Sequence, residues 1–213
     1  MYVPAHFKPD DAEIRELLGS GRAANLITAT SEGLMATMLP LVWDGPDVRP
    51  ELGPWGALLG HVARNNGQWK TPALGEALVI LAGPDAYVSP AWYATKREHG
   101  RVVPTWNYIT VHAHGRLVVH DDPTWVEANV RRLSHHHEAS RDEPWSVDDA
   151  PPPFIDGQLR AIVGVEILID RLEGKWKLSQ NRSDADIAGT IEGLEATGER
   201  AVSAAMRDLG RTE

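Results

Sequence analysis

Trp106-Asn-Tyr-Ile-Thr-Val-His-Ala-His-Gly-Arg-Leu-Val-Val-His120 is the stretch on which the fold turns. Its odd positions, Asn107, Ile109, Val111, Ala113, Gly115, Leu117 and Val119, read as a core face. The even positions, Trp106, Tyr108, Thr110, His112, His114, Arg116, Val118 and His120, are mostly polar or aromatic. A repeat of two over this length predicts one long half-buried strand, with Gly115 as a bend. A strand that long suits a barrel wall that curls and changes partners.

Outward from it, Leu34–Trp43 reads as a further strand, with Pro40 marking a bulge or an edge. Ala57–Val62, Ala77–Ala82 and Ala161–Ile169 read as shorter buried strands. Helical patterns flank them. Lys8–Gly19 carries the stripe Ile14, Leu17 and Leu18, and Asp122–Ser134 carries Val126, Val130 and Leu133 with a Glu127/Arg131 pair. Ser140–Asp156 reads as a Pro-rich acidic loop. Ser183–Asp186 reads as a capping box that opens a helix, and a last helix carries Val202, Met206 and Leu209. The order is a helix, about six strands with one helix inserted, then two helices. No alternating βαβ pattern occurs, which counts against a Rossmann or TIM architecture.

Composition narrows the function classes. The 213 residues contain no cysteine, so thiolate metal sites, disulfides and cysteine nucleophiles are excluded. With 30 acidic and 21 basic side chains, the net charge of −9 argues against a nucleic-acid coat or an anionic-membrane binder. Eight Trp against two Phe point to flat rings at binding surfaces or interfaces. No stretch reads as a signal peptide or a membrane span, and the expected location is cytoplasmic.

Three segments concentrate chemistry. In Gly60-His-Val-Ala-Arg-Asn-Asn-Gly-Gln-Trp-Lys70, polar donors follow a strand end where a short helix can begin, which is an anion-site pattern. Gly174-Lys-Trp-Lys-Leu-Ser-Gln-Asn-Arg182 offers many donors and few acceptors, suiting an anionic or carbonyl-rich ligand. Val103-Pro-Thr-Trp-Asn-Tyr-Ile109 presents rings that can wall a heterocycle or pack across a dimer interface. His135–His137 cannot converge on one ion, because consecutive helical positions point about 100° apart. His112 and His114 share a strand face, with His120 beyond. No carboxylate is placed near them in sequence, so a solvent-facing or interface role is expected. No nucleophile elbow, P-loop or GxGxxG fingerprint occurs.

Met1-Tyr-Val-Pro-Ala-His-Phe7, the 60–66 segment, Val103-Pro-Thr-Trp-Asn-Tyr108 and Lys175-Trp-Lys-Leu-Ser-Gln-Asn-Arg182 together resemble the PaiB-type family. These are FMN-binding split-barrel proteins known as negative transcriptional regulators. The resemblance implies a mainly β fold with peripheral helices, a six-stranded split β-barrel of the pyridoxamine-phosphate-oxidase-like kind. It implies a homodimer with one FMN in each of two clefts between subunits. On this similarity Thr37, Met38 and Leu39 would lie along the flavin, and His61, Arg64, Asn65 and Lys70 would approach its phosphate. Trp106 and Asn107 of the other subunit would flank the ring, and Gln180, Asn181 and Arg182 would close the pocket. Ser89 and Trp92 are looser candidates for the same cleft. Residues 1–182 would form the barrel domain and 183–213 a helical extension packed on it.

Three functions are compatible with this pattern. The first is a regulator acting through flavin or a protein partner, since no helix-turn-helix occurs and direct DNA binding is doubtful. The second is a flavin-dependent oxidoreductase with a nicotinamide or deazaflavin donor, in which the cofactor carries the redox chemistry. The third is haem binding through His112, His114 or His120.

Overall fold

A computed structural model describes residues 1–209 of the chain. Met1–Ile14, Ala82–Val111 and the described part of Gly174–Glu213 form one compact unit. Arg15–Leu81 and His112–Glu173 form the other.

After α1 (Asp11–Gly19) come β1 (Ala23–Thr30) and β2 (Gly33–Pro40), an antiparallel hairpin pairing Ala23 with Pro40 and Thr30 with Gly33. The Thr30 hydroxyl closes the turn, donating to Gly33 O at 2.8 Å and accepting from Glu32 N at 3.2 Å. Gly33 sits at φ 113°, which side-chain-bearing residues rarely adopt. β3 (Val42–Asp44) and β4 (Ala57–Ala63) form a second antiparallel pair. Next come β5 (Ala77–Val88), α2 (Thr95–His99), β6 (Thr105–His120), α3 (Pro123–Glu138), α4 (Pro152–Arg160) and β7 (Ile162–Lys177). α5 (Asp184–Ala196) and α6 (Arg200–Leu209) close the described chain. The strands make one sheet in the order β2-β1-β5-β6-β7-β4-β3.

That is seven strands, not six. The stretch Leu34–Trp43 is two strands at opposite ends of the strand order. Pro40 has no N–H to continue a ladder, and Leu41 N bonds to Arg22 O at 3.3 Å instead. In β6 the predicted alternation holds from Asn107 to Gly115 and then lapses, leaving Val119 exposed. A Cβ on Gly115 would stand 2.0 Å from Leu168 O, so the glycine admits the neighbouring β7 backbone.

Other boundaries moved for identifiable reasons. β5 continues past Ala82 through Gly83 and Pro84, where a Cβ on Gly83 would meet Ile109 Cβ at 2.7 Å. β7 continues through Asp170, Arg171 and Glu173, so Gly174–Lys177 is strand and not loop. The supposed loop Ser140–Asp156 contains the start of α4, with Pro152 at its first position, where the missing N–H costs nothing. The Glu127/Arg131 pair forms at 2.8 Å. Ser183 accepts from Asp186 N at 3.3 Å, but the Asp186 carboxylate turns away to Thr95, so only half of the capping box forms.

Each unit has its own core. Leu18, Leu26, Leu41, Leu58, Val79 and Ile167 are buried in the larger. Tyr93, Val88, Val111, Leu178, Leu194 and Val202 are buried in the smaller. There α5 lies against Trp92, made possible by Gly189 and Gly193, where a Cβ would approach Trp92 atoms to 2.2 Å. Among the described residues no helix is long and apolar enough to cross a membrane.

Candidate functional site

The sequence-derived site residues fall into two clusters, one in each unit. In the larger unit β4 ends at Ala63 and the chain turns through Arg64–Asn66 into a 3-10 turn, Gly67–Trp69. Asn66 shapes that turn. Its Oδ1 accepts from Gln68 N at 2.8 Å, and its Nδ2 donates to the Thr37 hydroxyl on β2 at 2.8 Å. Gln68 is only 2% exposed and reaches back to the hairpin. Its Nε2 donates to Leu26 O and Thr28 Oγ1, both at 3.1 Å, and to Met35 O at 3.3 Å.

Arg64, expected to clamp a phosphate, is largely committed within the chain. Its Nη1 and Nη2 fork onto Asp121 at 3.1 and 2.6 Å, and its Nε donates to Arg160 O at 2.7 Å. Nη2 also reaches Ile162 O at 3.1 Å. The hydrogen bond to Asp121 raises the guanidinium pKa and lowers that of the carboxylate. Asn65 and Lys70 are exposed, with the Lys70 ammonium 5.2 Å from the Trp69 ring centre. His61, on β4 opposite Gly164 of β7, has a buried Nδ1 without a partner among the described residues. Burial holds its pKa below the ordinary imidazole value.

β2 lies at the end of the strand order, so one of its backbone edges has no neighbouring strand. On it Thr37 is half-buried, Leu39 is buried beside Gly60, and Met38 is 70% exposed; Leu34 is 80% exposed. The segment therefore displays Met38, Asn65, Lys70 and an open strand edge.

In the smaller unit β7 runs out into a turn closed on itself. Gln180 Oε1 accepts from Leu178 N at 2.8 Å and its Nε2 donates to Trp176 O at 2.6 Å. Asn107 is fully buried. Its Nδ2 donates to Ser179 Oγ at 3.0 Å, and its Oδ1 accepts from that hydroxyl at 3.1 Å. Asn107 thus braces Ser179, at φ 70° the one non-glycine residue of positive φ among the described residues. Lys177 Nζ donates to Thr105 Oγ1 and to Trp106 O, both at 2.5 Å. Burial, then the nearby Lys175 and Arg182, lower its pKa.

The displayed groups here are Trp106, Asn181 and Arg182. Trp106 is 50% exposed, its Nε1 donates to Asp85 at 2.8 Å, and Tyr87 meets it edge-on at 6.1 Å. Asn181 is exposed, and the Arg182 guanidinium lies 4.7 Å from the Tyr93 ring centre. Ser89 caps the 3-10 turn Pro90–Trp92 through Ala91 N at 3.2 Å, and Trp92 packs on α5. An aromatic face with cations beside it suits a flat anionic heterocycle.

The sequence reading counted Asn66 among the anion-site donors, assigned no structural role to Gln68 or Ser179, and missed Asp121. Asn two residues before Gln68 is a legible cap signal. Asp121 and Ser179 carry no local signal, since their roles depend on partners 57 and 72 positions away.

Residues 1–171 match the family described as "Putative FMN-binding domain". The chain is a mainly β split-barrel protein and belongs to that family. It is 33% identical over 197 residues to the Bacillus subtilis protein named protease synthase and sporulation protein PAI 2, covering 92% of this chain and 89% of that one. A protein of Emericella nidulans is 33% identical over 230 residues, covering 93% and 92%. Among solved structures, a conserved hypothetical protein of Mycobacterium tuberculosis superposes with TM-score 0.55 at 14% identity, covering 85% of this chain and 92% of that one. The flavocytochrome Anf3 of Azotobacter vinelandii superposes with TM-score 0.54 at 13% identity, covering 84% and 73%.

FMN is the cofactor that this family implies. The residues present fit it. A dianionic phosphate calls for donors such as Lys70 and Asn65, and a pyrimidine edge calls for backbone groups such as those of the open β2 strand. The isoalloxazine calls for an apolar wall, which the exposed Met38 beside that edge can supply.

Proposed function

We propose that the protein is a homodimeric, cytoplasmic FMN-binding regulator of the PaiB type that acts through its flavin or a protein partner. The observation that carries the reading is β2, a terminal strand that leaves Leu34 and Met38 at 80% and 70% exposure. An apolar open edge of this kind is an aggregation hazard unless something covers it. A flavin ring and a second copy of the chain both answer that need.

Thr37, Met38 and Leu39 with His61, Asn65 and Lys70 would hold the pyrimidine edge and phosphate. Trp106, Asn181 and Arg182 of the partner subunit would flank and close the ring, with Gln180 shaping the turn that presents them. Arg64 enters this set by fixing the 64–69 turn, and Asn107 by bracing Ser179. When bound, FMN supplies reversible redox chemistry. The extension 183–213 would be an addition to the barrel domain.

The Bacillus subtilis relative's name ties that protein to protease synthesis and sporulation, which supports a regulatory role here. Contact with DNA is not part of the proposal. Arg131 is paired with Glu127 and Asp148, and Arg132 with Asp44 at 2.6 Å. Lys96 and Arg97 sit on a helix of five residues. Haem ligation by His120 is disfavoured, because its ring stacks on Trp125 at 4.0 Å and its Nε2 lies 2.8 Å from Glu166.

The test is an FMN titration followed by visible absorption and sedimentation. One flavin per chain on a dimer is expected; a monomer that ignores FMN overturns the reading. Anaerobic addition of a nicotinamide or deazaflavin donor tests the oxidoreductase alternative, which rapid bleaching of the bound flavin would favour. A salt-dependent gel shift at micromolar protein would contradict the exclusion of DNA.

A further inference from the structure

The long strand that decided the fold also carries a feature the flavin site does not use. His112 and His114 lie on one face of β6, and the structure brings Glu173 of β7 to them. One ligand atom from each lies within 4.8 Å of the other two. This corrects the expectation that no carboxylate stands near these histidines. We propose that His112, His114 and Glu173 bind one late first-row divalent cation of the zinc class.

The donor set selects the ion. Two imidazoles and one carboxylate suit Zn²⁺, Co²⁺, Ni²⁺ or Fe²⁺, whereas Mg²⁺ and Ca²⁺ demand mostly oxygen. Three protein ligands leave at least one position open to water or another small ligand. His114 Nε2 already faces Glu173 Oε2 at 3.2 Å, close to the separation of two ligands on one ion. All three side chains are half-buried, enough to limit their rotamers while leaving a path for an ion.

The surroundings supply a second shell and a competitor. Glu76 Oε2 lies 4.0 Å from His114 Nδ1. Arg171 Nη2 lies 2.9 Å from the same Nδ1 and 3.3 Å from Glu76, and its Nη1 lies 3.8 Å from Glu173. In this arrangement the guanidinium donates to Nδ1, which places the imidazole proton on Nε2. A cation at Nε2 moves that proton to Nδ1, where it can donate to Glu76 as a carboxylate–histidine–metal relay. Arg171, 51% exposed at its side chain, then keeps Glu76 and releases His114. Proton count is unchanged, and one cation takes over part of the charge neutralisation from another.

The experiment strips the full chain with a chelator and titrates Zn²⁺ against a chromophoric competitor, with FMN absorption recorded in parallel. One Zn²⁺ per chain is expected. Glu173→Gln and His114→Ala should weaken binding by at least about 10- to 100-fold, the loss typical even of outer-shell changes. Arg171→Ala should tighten it. The exposed run His135–His137 is the decoy, so the variant with all three changed to Ala should bind as the wild type does. X-ray absorption of the zinc-loaded wild type, which needs no variant to fold, should show two imidazole ligands. Absence of stoichiometric zinc, unchanged affinity in Glu173→Gln, loss in the His135–His137 variant, or an imidazole count other than two would each overturn the proposal.

Discussion

The segments 60–70 and 174–182 look alike in sequence, each a string crowded with donors next to a strand. The structure gives them different economies. In 60–70 the donors reach outward to other elements: Gln68 to β1 and β2, Asn66 to Thr37, and Arg64 to Asp121. In 174–182 Gln180 spends both ends of its amide on the backbone two and four residues away. In both, most of the polar side chains shape the loop; Asn65 and Lys70 stay exposed in one and Asn181 in the other, where Arg182 is half-buried against Tyr93. A donor-rich string counts donors without revealing where their acceptors are. The acceptors come from distant strands or from the loop itself, and they decide which donors remain for a ligand.

The largest expected effect tests that contrast directly. Gln68→Ala removes a buried amide that serves three acceptors, leaving Leu26 O and Thr28 Oγ1 short of a donor inside the hairpin. The expected loss is about 3 kcal/mol, read by urea denaturation. Gln180→Ala, which breaks only local bonds in a half-buried turn, should cost about 1 kcal/mol. Equal losses would mean that the two segments are built alike and that the distinction between outward and inward donors is empty.

A second pair of variants sharpens the account of the 174–182 turn. Ser179→Ala keeps the unfavourable φ of 70° and deprives the fully buried Asn107 amide of its partner, for an expected cost of about 2 kcal/mol. Ser179→Gly loses the same bond but relieves the left-handed backbone, so it should cost about 1 kcal/mol less. If Gly is no better than Ala, the strain at this position is not what Asn107 holds in place.

What the sequence made legible follows the range of the forces involved. The alternation in β6, the stripe of α3 and the Glu127/Arg131 pair are set by neighbours a few residues away, and they are readable. The break at Pro40 was visible, but its consequence was not. Sending β3 to the far end of the strand order depends on pairing with β4 and not on anything in 34–43. The candidate site residues rest on family resemblance, and their division into displayed and structural was not legible in the sequence. Arg64 was read as a phosphate clamp because an arginine after a strand is a good one, and nothing nearby announces Asp121. Glu173 escaped notice beside His112 and His114 for the same reason, since β7 supplies it from some sixty residues on.

The division predicts how ligand binding separates from stability. Lys70→Ala and Asn65→Ala should each weaken FMN by about tenfold, roughly one charge-assisted hydrogen bond, and leave the denaturation midpoint unchanged. Arg64→Ala should lower the midpoint first, because it releases Asp121 and two backbone carbonyls. Titrations at equal folded fraction distinguish the two. An Arg64 variant that loses FMN affinity while keeping its midpoint would return that residue to the displayed group.

The smallest effect concerns one half-buried basic group in each segment. Both His61 and Lys177 have pKa values lowered by burial, but they act in different pH windows. For His61 the unfolded chain takes up its proton near pH 6.5, whereas the folded protein resists until a lower pH. Between those points the unfolded state binds more protons, so stability rises with pH across the window and is lost as the pH falls through it. For Lys177 the same sign applies between its folded value and about 10.4, so its effect lies on the alkaline side. His61→Gln, measured without added FMN, should therefore flatten stability just below about pH 6.5 and leave the alkaline limb alone. An unchanged acid limb would mean that the buried Nδ1 acquires a donor or acceptor on protonation. In that event the orphaned atom of the 60–70 segment belongs with its structural donors, and the comparison between the two segments tightens.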